Sequence, residues 1–236
     1  MADKVQTKFM PGTANDGNGF PENYVNNIFV DINPTVDTNG DVDLNDLTTG
    51  KWAWLAGGIN AVTPSANETT ANDAYYDGGG FTETEVTGKQ VQLAVSGNRK
   101  VGDPAQDFVA GKFWQFGNAV KTRVIWIENG VPVVAKATLT NVVPTGGAAN
   151  AKQTFSFTIA FNGRPKIPEG QLKMTLTTEA TIYSADVDSS VKPDGNNSVI
   201  KAIVADSVPG ANSGAGNKQN TSNPAGQGTT TSPSGK

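Results

Sequence analysis

The run "KQTFSFTIAFNG" (Lys152–Gly163) sets Phe155, Phe157, Ile159 and Phe161 on one parity, with Ser156, Thr158 and Ala160 on the other. Strict alternation puts every large side chain on one face of an extended strand, a grouping that no helical period reproduces. The same period recurs. "NIFVDINPTV" groups Ile28, Val30 and Ile32, and "GKQVQLAVSG" groups Val91, Leu93 and Val95. "QLKMTLTTEATIY" groups Leu172, Met174 and Leu176. "GKWAWLAGGINAV" carries Trp52 and Trp54 into a strand expected to bend at Gly57-Gly58. Asn129-Gly130 is a two-residue type I′ corner between two further runs. On its first arm Val120, Thr122, Val124, Trp126 and Glu128 share one parity, opposite Lys121, Arg123, Ile125 and Ile127. That parity predicts that Lys121, Arg123 and Lys136 lie on accessible faces.

These signals predict a mainly β, mostly antiparallel chain. One helix is expected, near Asp103–Phe113. Asp103 stands at an N-cap, Pro104 at the first helical position and Asp107 in the first turns, with Phe108, Val109 and Phe113 as an apolar stripe. The 236 residues divide into an arm over 1–27, a β domain over 28–184, an extension over 185–207 and a disordered tail over 208–236. The tail carries no large apolar residue beyond Val208, so it cannot offset its ordering entropy. The arm is rich in Gly, Asn, Pro and Asp, yet Phe9, Phe20 and Tyr24 are spaced through it. Aromatics in such a leader predict that it docks, either on its own domain or on a neighbour.

The chain has no cysteine and no histidine. Disulfides, thiolate metal sites, a cysteine nucleophile and the usual catalytic triad are therefore excluded. Carboxylate pairs remain, either Glu83 with Glu85 or the cluster Asp41, Asp43 and Asp46. They sit in polar sequence where nothing separates their pKa values, as acid–base work requires. No catalytic, cofactor or metal site is expected. "DGGGF" (Asp77–Phe81) leads into strand rather than helix, so it reads as a hinge or bulge between Tyr75-Tyr76 and the next strand and not as a phosphate loop. "DTNGDVDLNDLT" (Asp37–Thr48) resembles a calcium loop, but its glycine comes too early and no carboxylate stands at position 12. The alternative reading is a turn with its corner at Asn39-Gly40.

No stretch has the length of a signal peptide or a membrane span, which predicts a protein kept in a cytoplasm. Net charge is −4 and unevenly placed: residues 1–50 hold eight acidic side chains against Lys4 and Lys8, so the rest of the chain is positive. Free nucleic acid should be repelled. Such segregation suits a subunit that meets copies of itself head to tail, and equally a solvated acidic arm.

Three segments carry a resemblance. "YYDGGGFTETEVTG", "SGNRKVGDPAQDF" and the phenylalanine strand ending in "FNGRP", in this order, resemble the major tail protein of phages with long non-contractile tails, the siphophages. The likeness covers about residues 27–168. It implies a β-sandwich or barrel-like tail-tube fold with one flanking helix, an extended N-terminal arm and a long loop. It further implies hexameric rings stacked head to tail into a tube with an acidic lumen, through which genomic DNA passes without specific binding. Partners would be the tape measure protein and tail-end or baseplate proteins, and the location the virion after assembly in the host cytoplasm. On this reading Phe9, Phe20, Tyr24, Arg99, Lys100, Arg123 and Glu128 are expected assembly contacts. The reading from another class is a carbohydrate-binding or adhesion module built on exposed tryptophans.

Overall fold

The structure, a computed structural model, describes residues 23–37, 39, 41–179, 181–192 and 200–205. Phe9, Phe20 and the tail beyond residue 205 lie outside the described residues. The chain is mainly β. Its strands are β1 (Asn27–Asp31), β2 (Trp52–Trp54), β3 (Ile59–Ala74), β4 (Thr82–Asn98), β5 (Lys121–Glu128), β6 (Val131–Val143), β7 (Thr154–Phe161), β8 (Gln171–Leu176), β9 (Ile182–Asp188) and β10 (Ile203–Ala205). They form one sheet in the order β10-β8-β9-β2-β1-β5-β6-β7-β4-β3. Every neighbouring pair is antiparallel except β10 with β8.

The alternation read from the sequence divides between two cores. Ile28, Val30, Val124, Ala135, Ala137, Leu93, Val95 and the four alternating residues of β7 fill one. Phe29, Trp52, Ile125, Ile127, Leu172, Met174, Tyr183 and Val204 fill the other. The middle of the sheet is therefore covered on both faces, and all five residues of β1 are buried. Strands of this kind lose the polar parity that marks a half-exposed sheet. The β8–β10 end folds back over β5 and β6. Ala202 N donates to Gly130 O at 2.8 Å, and Val134 bridges Lys166. The second core depends on β9, which runs across the domain boundary expected at residue 184, and on Val204 beyond it.

The helix α1 (Pro104–Gly111) starts where its cap predicts. Asp103 takes extended backbone angles and its side chain accepts from Gln106 N. It ends at Gly111 and tightens into a 3-10 turn over Lys112–Trp114, two residues earlier than the apolar stripe suggested. Glycine is a poor helix former, and Phe113 ends up exposed rather than packed. Ala105, Gln106 and Val109 make the buried face instead. The β5–β6 corner has Asn129 at φ 50° and Gly130 at φ 87°, the type I′ signature.

Gly97 marks the tightest backbone approach in the β3–β4 pair. A Cβ there would sit 2.2 Å from Gly58 O, in backbone that cannot yield cheaply. Gly97→Ala should lower unfolding free energy by about 1–3 kcal/mol, read as a lower denaturant midpoint at unchanged slope. An unchanged midpoint would remove the close approach from the account of β3.

Candidate functional site

Within the acidic segment, residues 43–46 close over a buried cation. Asp31 ends β1 fully buried, and Arg123 of β5 is 1% exposed. The Arg123 Nε donates to Asp31 Oδ2 at 2.8 Å, and Nη2 lies 2.6 Å from the same oxygen. Its Nη1 donates to the carbonyls of Asp43 and Asp46, at 3.0 and 2.6 Å. The guanidinium also lies over the Trp52 ring, 5.3 Å from the centroid. The other carboxylate oxygen, Asp31 Oδ1, accepts from Asn33 N and Lys51 N. Trp52 Nε1 donates to Leu47 O.

In "DTNGDVDLNDLT" the described carboxylates accept hydrogen bonds within local turns. Asp37 accepts from the Asn39 and Asp41 amides, Asp43 from the Asn45 amide, and Asp46 from the amide and hydroxyl of Thr48. Among the described residues no acidic group has the arrangement to hold a metal ion. Asp41 is hydrogen-bonded to Lys136 across the surface, which holds its carboxyl below the usual range. The Thr48 hydroxyl does the same for Asp46.

Arg123 is thus not on an accessible face, and the expectation that it contacts a neighbouring subunit is corrected. Parity placed it opposite Trp126 and Val124 but could not show that this opposite face is covered by 37–48. Arg99 is also largely taken up within the subunit. It pairs with Asp107 at 2.5 Å, donates to Lys100 O and lies 5.7 Å from the Phe155 centroid. Buried Gln106 fastens the same corner: its Oε1 accepts from Lys100 N, and its Nε2 donates to Gly57 O and Asn98 O. Beside it, burial pushes the Asp103 carboxyl up. Lys100 and Glu128 are exposed, as is Tyr24 at 67%. Tyr24 and Glu128 share the rim of one groove, whereas Arg99 and Lys100 sit at the base of α1.

Two exposed surfaces were missed in the sequence. The first is the far half of the β3–β4 hairpin. β4 pairs with β7 only from Gln92 to Asn98. Beyond that the two strands pair only with each other, out to Ala74 opposite Thr82. Nine residues of strand from Ala66 to Ala74 reach roughly 30 Å at about 3.3 Å per residue. Almost every residue along this stretch is exposed on both faces. At its tip Tyr75, Tyr76 and Phe81 are 54%, 108% and 83% exposed. Gly79 and Gly80 make the turn with positive φ, so "DGGGF" is a hairpin end and not a hinge in a domain. The signal was available, since residues 63–90 combine strand length with one large aliphatic residue, Val86. The second surface follows α1, where Phe113 and Trp114 stack edge to face at 4.7 Å and Phe116 stands beside them in sequence, fully out in solvent.

No family model and no curated protein matches the sequence. Among solved structures, the fold overlaps a chain from the tail of an empty GTA particle at 16% identity, with a TM-score of 0.44, covering 60% of this chain and 93% of the other. A chain from the virion of a native gene transfer agent particle overlaps at 15% identity and TM-score 0.43, covering 59% and 94%. Similarity this low establishes no membership for the chain.

Removing one partner of a buried pair leaves an uncompensated charge, at a cost of about 3–5 kcal/mol. Arg123→Met should lose that much by chemical denaturation, and Arg123→Glu should fail to fold. A folded, stable Arg123→Glu protein would contradict the burial described here. A separate pH effect is expected where β8 meets β9. Lys173, 2.7 Å away, and Ser190 hold the Asp188 carboxyl at about 2, below its ordinary 3.8. A depressed carboxylate adds stability above the unfolded value and loses it as pH falls. Melting temperature should therefore drop between about pH 4 and pH 2, and the drop should be smaller in Asp188→Asn. Equal acid sensitivity in both proteins would exclude this pair as a source.

Proposed function

We propose that this chain is a structural subunit of a phage tail tube. In this reading, copies close into rings, and rings stack head to tail into a conduit for DNA. The observation that carries the proposal is the outer β3–β4 hairpin. An isolated two-stranded hairpin is marginal in water, and this one has no core of its own and ends in exposed aromatics. A neighbouring copy supplies the missing support.

Charge and geometry favour the same reading. Residues 71–86 contain Asp73, Asp77, Glu83 and Glu85 and no cation. The surface after α1 offers Trp114 and Phe116 close in sequence to Lys112. Contact between two different patches of identical subunits is heterologous, the geometry that closes rings or extends filaments. The resemblance of "SGNRKVGDPAQDF" and "FNGRP" to siphophage major tail proteins points to a tube in particular. The body sequence around those motifs builds the Arg99–Asp107–Gln106 corner and the end of β7.

The purified full chain should form hollow particles of constant width, visible by negative-stain microscopy. Tyr76→Ser with Phe81→Ser should abolish them while melting shifts little, because each removed ring contributes about 1.5–3 kcal/mol at a contact and nothing to the subunit core. Normal tubes from that double variant would overturn the hairpin's role. Glycan binding by a dispersed subunit that never assembles would favour the adhesion reading instead.

A further inference from the structure

A groove of about 800 Å³ opens between β1, the start of β3 and the end of β5. Its lining includes Trp54, Trp126, Ile28, Leu55, Val62 and Pro64. Trp54 is held in place by its Nε1, which donates to Asn27 Oδ1 at 3.1 Å. Both tryptophans are only partly covered, and both pack against the first core. The groove has the size of a ligand pocket; of its polar lining, Asn27 is engaged with Trp54, and Asn23, Asn60, Thr63 and Glu128 are exposed. A groove walled by two tryptophans and flanked by exposed polar groups takes an apolar side chain on a polar chain.

The described chain begins at this margin. Asn23 and Tyr24, the first described residues, are themselves groove lining. Twenty-two residues precede them. Phe20 is three positions before Asn23, a reach of at most about 10 Å. Phe9 is fourteen positions away, across "PGTANDGNG", with three glycines to order. We infer that the groove is the docking slot for Phe20 of the same chain. The short tether decides between the same chain and another copy. It supplies an effective concentration on the order of millimolar without any loss of translational freedom. In the dispersed subunit the arm is parked on its own body, covering Trp54 and Trp126. An arm held at its root by one ring can be exchanged for that of a neighbour without building a new slot, as in a swapped element.

Tryptophan emission tests this directly. Trp52 is buried and Trp114 is 87% exposed. In a Trp114→Phe background the quencher-accessible emission therefore comes from the groove. Adding Phe20→Ser should raise acrylamide quenching and shift emission to the red, at every protein concentration, while Phe9→Ser should not. Val62→Glu, which puts a charge in the slot, should give the same rise, and Phe20→Ser on top of it should add nothing. No change with Phe20→Ser would overturn the inference. So would a change that appears only at concentrations where subunits associate, because the arm would then belong to another copy. All of these readouts are taken on dispersed subunits, so they stand or fall independently of tube formation.

Discussion

The pair between Asp31 and Arg123 fixes the organisation of the rest. It joins the end of β1 to the middle of β5, and through two carbonyls it also holds the segment 37–48. That segment carries Val42 and Leu47 into buried positions and accepts the Trp52 indole hydrogen. Without it the second core, from Phe29 and Trp52 to Leu172 and Tyr183, would have one side open to water. A buried ion pair need not add net stability, but removing one of its members is costly. Here the cost extends to the carbonyls of Asp43 and Asp46, which Arg123 also holds. A long irregular segment is thereby held against the sheet with few apolar residues of its own.

The molecule then divides by how its parts are supported. The body has two cores on opposite faces of one sheet, with α1 fastened at a corner by Gln106, Arg99 and Asp107. The outer hairpin has paired backbone and little else. Its internal ties are an exposed Lys89–Glu68 pair and a few side-chain hydrogen bonds. Exposed ion pairs of this type contribute about 0–1 kcal/mol. β3 is moreover the edge of the sheet, and Pro64 within it limits pairing along that edge. Local stability should therefore grade from a firm body to a hairpin whose order depends on what it touches.

Much of this was legible in the sequence. Alternation marked β5 to β8, the Asn129-Gly130 corner appeared where expected, and Asp103-Pro104 began the helix. What escaped were features set by distant residues. Arg123 reads as a surface cation because it follows Lys121 on its strand parity and is charged, and only the fold brings a carboxylate 92 positions earlier against it. Gln106 reads as a polar helix residue, yet its partners at Gly57 and Asn98 bury it. Of the hairpin, the sequence showed only the strand that follows "DGGGF". Its isolation shows only in the pairing, where β7 stops accompanying β4 at Gln92. The sequence showed arm aromatics without a slot, and the groove beside Asn23 was visible only after folding.

A self-supported body and the proposed neighbour-supported hairpin differ most plainly in amide hydrogen exchange. In the dilute subunit, β1, β5 and β7 should exchange slowly and residues 64–91 fast. After assembly, residues 64–91 should become protected, while the body strands change little. If residues 64–91 are equally protected in dilute subunit and in assembled protein, the hairpin needs no neighbour, and the central claim about this chain is wrong.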